Sequence, residues 1–356
     1  MKNKPFILIF LLAWILGQWL PLHAGQTVTT AVTVTHMPET IKSLEAGWEW
    51  AFKAGEKAGV KKGFYIGYTI SLPAGKNGCR LGDSHYHGNK KTLHEVLYGK
   101  PADKNNIALL FRFRDRSGGR YGFKEIKISH LDHPVEMDNL PLYWLGEAHR
   151  DQSVEFIITC FKNIKTNLAE LREDIVMAAG IHGPHAGVFR FLEDVLNGSF
   201  SGKVRKSAVF WIAQQQDPAA VKVLLRTLLL DPSEDVKEHA VFALSLVHCK
   251  EADDTLIQLA SRGKNKSLRK KAIFWLGQKA VKKTGKILEG LIRDEKDIDI
   301  QSAAVFALSQ QAGSAPKLAK IAKTHPRLAV RKKAIFWLSQ SDDPIGLKTI
   351  LEILEK

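Results

Sequence analysis

From residue 203 onward the apolar positions recur with a helical period. Val204, Ala208, Trp211 and Ile212 fall at i, i+4, i+7 and i+8, which is one stripe on a helix, with Arg205 and Lys206 on its outer side. After Gln216-Asp217-Pro218, where the Asp suits a cap and the Pro a first helical turn, Val221, Leu224, Leu225, Leu228 and Leu229 form a second stripe that Asp231-Pro232 ends. The two stripes predict a helical hairpin.

The hairpin repeats. The segment KVRKSAVFWIAQ at 203 returns as DVKEHAVFALSL at 235, SLRKKAIFWLGQ at 267, DIQSAAVFALSQ at 299 and AVRKKAIFWLSQ at 329. The aligned phenylalanines Phe210, Phe242, Phe274, Phe306 and Phe336 are 32, 32, 32 and 30 residues apart, a period in the solenoid range. A weaker copy starts at Leu171 and places Met177 in the phenylalanine slot. Second helices follow at Ala252 to Ala260, Gly285 to Arg293, Pro316 to Lys323 and Pro344 to Ile353. Neither helix of a unit can bury its stripe alone, so neighbouring hairpins must stack into a two-layer array.

The residue after the phenylalanine slot runs Ala178, Trp211, Ala243, Trp275, Ala307, Trp337, so small and large alternate and the true period is two hairpins. Dense packing makes this readable as one interior in which each indole takes space that a neighbouring alanine leaves, which places the tryptophans in the core.

The motif Val-Arg-x-x-Ala-x-x-x-Leu after an Asp-rich turn resembles HEAT repeats of the short bacterial kind also found in phycobilisome-lyase-like proteins. The likeness covers roughly residues 149 to 356 and is strongest in the AIFWLGQ and VFALSQ blocks. It implies a mostly α fold, an α-α superhelix, serving as an interaction scaffold of an exported bacterial protein. The phycobilisome-lyase label describes shared hairpins and transfers no bilin site. The dimetal hydroxylases built on such repeats use a His-Glu order that Glu238-His239 reverses, and no second pair of that kind occurs.

Upstream the period changes from helical to strand-like. FYIGYTISL from Phe64, NIALLFRFRD from Asn106, YGFKEIKISH from Tyr121 and PLYWLGEAHR from Pro141 predict a small β-rich domain of four to six strands, preceded by a helix or irregular stretch through Trp48 and Trp50. Val154, Ile157, Ile158 and Phe161 return to the helical period. The chain therefore divides into a signal peptide over residues 1–24, the β-rich domain over 25–148 and a solenoid of about six hairpins over 149–356. The signal reading rests on Lys2 and Lys4, the apolar run Phe6 to Gly17 and a small residue at Ala24. It predicts a periplasmic or secreted protein with no stable membrane span after cleavage, since the run is short against the ~20 residues a spanning helix needs.

Charge refines the picture. The chain carries a formal +15, and residues 200 to 356 supply most of it, with 28 Lys and Arg against 17 Asp and Glu. Basic clusters recur in the tryptophan copies, at Lys203, Arg205 and Lys206, at Arg269, Lys270 and Lys271, and at Arg331, Lys332 and Lys333. Such a balance favours another protein or an anionic polymer as partner; export puts the genome out of reach, which disfavours nucleic acid. Because second helices usually line the concave side of such arrays, Lys222, Arg226, Lys286, Lys317 and Lys320 are the expected partner-binding residues.

Candidate chemistry is sparse. Three cysteines, Cys79, Cys160 and Cys249, cannot staple so long a chain, and the last two read as buried apolar residues of helices. Cys79, Asp83, His85 and His87, with His94 following, have zinc-binding side chains, but Cys-x5-His-x-His matches no usual structural pair. An exported metal-dependent enzyme or sensor on that loop is the alternative to the scaffold. The pairs His130/His133 and His182/His185 are weaker still. No nucleophile elbow, phosphate loop, dinucleotide fingerprint or His-Glu-x-x-His helix occurs. The expectation is a non-enzymatic scaffold with no catalytic, metal or cofactor-binding residues and no cofactor.

Overall fold

The computed structural model describes residues 32–71, 91–100, 106–116, 120–164, 168–279 and 284–355. The expected signal segment and the Cys79-to-His87 cluster lie outside the described residues. The fold is mostly helical, with one small sheet before a long helical array.

Five strands, β1 (Val34–His36), β2 (Phe64–Ser71), β3 (Asn106–Asp115), β4 (Tyr121–His130) and β5 (Leu142–Glu147), form one sheet in the order β1-β5-β2-β3-β4. The pairs β2/β3 and β3/β4 are antiparallel, whereas β5 lies parallel to both β1 and β2. Residues 64–70 of β2 and 107–111 of β3 are buried without a break because both faces of the sheet are covered. Tyr65, Leu110, Leu142 and Trp144 point to one side, into a small core shared with α2 (Leu93–Tyr98). Phe64, Ile66, Tyr68, Phe111 and Phe113 point to the other. There α1 (Leu44–Ala58) lays Trp48 edge-on against Phe111, ring centroids 4.9 Å apart, and against Phe156 at 4.5 Å. Phe156 belongs to α3 (Arg150–Asn163), so this side of the sheet runs without a break into the helical core.

Six hairpins follow: α4 (Ala169–Gly180) with α5 (Ala186–Asn197), α6 (Gly202–Gln214) with α7 (Ala219–Leu230), α8 (Glu234–Leu246) with α9 (Lys250–Arg262), α10 (Lys266–Gln278) with α11 (Thr284–Asp294), α12 (Ile298–Ser309) with α13 (Ala315–Thr324), and α14 (Leu328–Ser339) with α15 (Pro344–Leu354). Short polar side chains start several of these helices. Ser201 accepts from Val204 N, Asn265 from Leu268 N, Asp297 from Asp299 N and Ile300 N, and Asp343 from Ile345 N. Asp217 accepts from Ala219 N at 2.8 Å and so serves the start of α7. No helix among the described residues is long and apolar enough to cross a membrane.

The junction between sheet and array carries heavily buried polar groups. Helix α4 packs on β4, and Ile126 N donates to Asp174 Oδ2 at 3.4 Å across that contact. Beside it, Ser153, Tyr68 and His182 form a sealed chain in which the Ser153 hydroxyl lies 2.9 Å from both Tyr68 Oη and His182 Nε2. His182 Nδ1 lies 2.8 Å from the Ala178 carbonyl, which can only accept, so Nδ1 carries the ring proton and Nε2 accepts from Ser153. A serine donating to a histidine is the arrangement of a nucleophile and its base, but Ser153 is 0% and His182 1% exposed, and no substrate can reach them. This trio holds the sheet to the first hairpin.

Burial pushes His182 down to about 4, and burial first among several causes pushes Asp174 up to about 7. The two act in opposite directions on stability. His182 withholds a proton that the unfolded chain takes below its ordinary range near 6.5, so its contribution is lost as pH falls from there towards 4. Asp174 keeps a proton that the unfolded chain has released above 3.8, so its contribution is lost as pH rises through 7. Asp174→Asn should therefore raise Tm over the parent most at pH 8.5, clearly less at pH 5 and hardly at all near pH 3, as followed by thermal denaturation at the three pH values.

Candidate binding groove

Consecutive first helices run parallel and in direct contact. At their N-terminal ends Asn265 Nδ2 donates to Glu234 at 3.0 Å and Ser267 Oγ to Glu238 at 2.5 Å, and Lys266 reaches Asp299 at 2.6 Å. At their C-terminal ends Gly180 of α4 lies under the Trp211 ring of α6, and Gly277 of α10 lies under the backbone of Ala307 in α12. The backbones of α4, α6, α8, α10, α12 and α14 pack closely all along this row. Second helices α7, α9, α11 and α13 make only sparse backbone approaches to one another. When two layers of one array are spaced unequally, the tighter layer lies inside the curve. The tight layer is made by the first helices, whereas the sequence leads one to expect the second helices on the concave side.

A groove of about 1060 Å³ lies along the first-helix row and is lined by residues of α6, α8, α10, α12 and α14. One side is aromatic. Phe210 stacks on Phe242 at 6.5 Å, Phe242 meets Trp275 at 4.6 Å, Trp275 meets Phe274 at 4.8 Å, Phe274 stacks on Phe306 at 5.9 Å, and Phe306 meets Trp337 at 4.7 Å. Trp211 and Phe336 extend this ladder at its two ends, 5.2 Å from Phe210 and 5.0 Å from Trp337. Contacts of this kind contribute about 0.5–1.5 kcal/mol each beyond area burial and hold the rings in fixed relative positions.

The tryptophans thus divide. Trp211 is buried at 4% exposure because Gly180 leaves room for its ring, whereas Trp275 and Trp337 are only partly buried and line the groove. The expectation that all three fill the interior is corrected for these two. Their position borders the buried stripe and faces the groove at its edge. Cys160 and Cys249 are likewise only partly buried against the core, and burial raises the Cys160 thiol to about 12.

The other side of the groove is charged and comes from the first two turns of the same helices. Lys206, Lys270, Lys271 and Lys333 stand in the tryptophan copies, and Asp235, Glu238 and Asp299 in the alanine copies between them. Lys271 pairs with Glu238 at 3.0 Å and Lys266 with Asp297 and Asp299 at 2.8 and 2.6 Å. Lys270 and Lys333 are exposed and have no ion-pair partner among the described residues. Burial, and then Lys206 and Lys271, press His239 down to about 4, so at neutral pH it sits in the groove uncharged. A smaller cavity of about 750 Å³ adjoins at the first turns of α4, α6 and α8 and includes Lys203 and Lys206.

The arginines of the basic clusters do something else. Arg205 forks onto Asp231 at 2.7 and 2.9 Å, Arg269 pairs with Glu295 at 2.5 Å, and Arg331 donates to the His325 carbonyl at 2.8 Å. Arg205 and Arg269 also hold carbonyls at Phe200 and Ala260, at the ends of α5 and α9. They brace one hairpin to the next and complement helix C-termini.

The five expected partner-binding residues lie on second helices and none lines the groove. Arg226 is paired with Glu193 at 2.9 Å and Lys317 with Glu289 at 2.7 Å. Lys222, Lys286 and Lys320 are exposed, each on a different helix. The sequence signal that marks the groove instead is the phenylalanine slot: it falls outside the apolar stripe yet recurs in five copies, and the middle three, Phe242, Phe274 and Phe306, line the groove. Among the described residues no group of three or more His, Cys, Asp or Glu side chains is placed to hold a metal ion.

No protein-family model matches the chain, and no curated protein matches it in sequence. Solved structures do. Human deoxyhypusine hydroxylase, in complex with glycerol, is similar at 16% identity over 56% of this chain and 87% of that one, with a TM-score of 0.25. The complex of CpcE and CpcF of phycocyanin lyase from a Nostoc species is similar at 17% identity over 55% of this chain and 79% of that one, with a TM-score of 0.29.

The tight first-helix spacing is tested at Gly277. A Cβ there would stand 2.7 Å from the Ala307 carbonyl oxygen and 2.8 Å from its Cα, and backbone cannot yield as a side-chain tip can. Gly277→Ala should destabilise by roughly 1–3 kcal/mol in urea unfolding, despite the better helix propensity of alanine.

Proposed function

We propose that this protein is a non-catalytic scaffold that takes an anionic partner, a protein or an anionic polymer, along the first-helix groove. The observation that carries the reading is the pairing of a continuous, partly exposed aromatic ladder with a lysine-bearing rim in one groove. Aromatic rings held by their neighbours offer contact area at little ordering cost, and lysines at fixed spacing steer an anionic chain towards them. The macrodipoles add to this, since the parallel first helices present their N-terminal, partly positive ends along the rim that carries the lysines. Export by the N-terminal segment belongs to the same proposal and would place the partner in the periplasm or outside the cell.

Two variants with equal charge change separate this groove from the second-helix face. Lys270→Glu with Lys333→Glu should weaken binding to polyglutamate or a sulfated polysaccharide by tenfold or more at physiological salt. Lys222→Glu with Lys320→Glu should weaken it far less. Fluorescence anisotropy with labelled polymer measures both, and an equal loss from the two variants would mean that net charge alone, without the groove, accounts for binding.

A further inference from the structure

Resting on the groove reading above, we infer that the occupant is an extended peptide segment of a protein partner, with acidic side chains along one edge and apolar side chains along the other. Three features of the groove carry this. Its two sides differ in kind: the charged side comes from the first two turns of the helices and the aromatic side from the third, so the sides run as parallel rails across the row of first helices. In an extended chain successive side chains point to opposite edges, so a peptide laid along the groove sends alternate residues to the charged and the aromatic rail.

The charged rail is also not uniformly basic. Asp235, Glu238 and Asp299 interrupt the lysines at every second hairpin. A polyphosphate chain carries its charge at every unit and meets those carboxylates in repulsion. A polypeptide can place acidic residues only opposite Lys270 and Lys333 and neutral ones between them.

The spacing follows from packing. Neighbouring helices sit about 8–10 Å apart, so Lys270 and Lys333, two hairpins apart and one position out of register, are separated by roughly 16–20 Å. An extended chain rises about 3.3 Å per residue, which puts successive acidic residues about five to six apart. Of the two spacings only six, being even, keeps all of them on the same edge, as the two-rail geometry requires.

The test uses the full chain and three labelled probes in anisotropy titrations. The first is a 14-residue peptide with glutamates at positions 2, 8 and 14, leucine or valine at odd positions and serine elsewhere. The second has the same composition with its three glutamates consecutive, and the third is a 12-nucleotide oligothymidine. The expected result is that the first peptide binds at least tenfold more tightly than the other two, and that Lys270→Glu with Lys333→Glu abolishes this preference. Equal affinity for the two peptides, or tighter binding of the oligothymidine, would overturn the inference while leaving the groove reading intact. Absence of groove-dependent binding by all three, together with polyglutamate, would overturn both.

Discussion

The direct contact of one first helix with the next is the constraint on which the array depends. It requires small residues where backbones meet, and Gly277 beneath Ala307 and Gly180 beneath Trp211 supply them. The second helices α7, α9, α11 and α13 approach one another only sparsely, so the tight layer of the array is the first-helix row. The same spacing brings the phenylalanines of adjacent copies to about 6 Å and turns isolated rings into a ladder. A surface that would otherwise be a row of solvated helix faces becomes a groove with an apolar side.

The two-hairpin period gives this groove its charge pattern. Tryptophan copies bring lysines to the rim and brace the hairpin links with Arg205, Arg269 and Arg331, whereas alanine copies bring carboxylates that pair with Lys266 and Lys271. Structural and surface roles are thereby divided within a single basic cluster. The arginines, with planar forks, take the buried links, and the lysines, with flexible stems, stay at the rim. At the other end, the sheet covers the first hairpin with an apolar face, and the buried trio Tyr68, Ser153 and His182 ties the two together.

Much of the fold was legible in the sequence because its signals are local and repeated. The stripe from Val204 to Ile212 and its four later copies define helices without reference to anything distant, and the alternating strands of residues 64 to 147 announce a sheet. Which layer lies inside the curve was not legible. That depends on interhelical distances set by single small residues such as Gly277, which in sequence looks like any other position of its helix. Lys222, Arg226, Lys286, Lys317 and Lys320, the residues expected on the inner surface, lie on second helices outside the groove, and nothing in the sequence alone says that the recurring phenylalanine slot lines it. The tryptophan alternation sets a two-hairpin period, but Trp275 and Trp337 sit at the border of the buried stripe, where periodicity cannot say on which side a large ring ends up.

The curvature itself is open to direct measurement. In a cysteine-free background, spin labels at residues 235 and 299 report the distance between first helices two hairpins apart, and labels at 254 and 320 report the same interval between second helices; all four positions are exposed. Electron–electron double resonance should return a first-helix distance of roughly 16–20 Å, clearly shorter than the second-helix distance. Equal distances, or a longer one between the first helices, would contradict the inner placement of the aromatic ladder and the groove built on it.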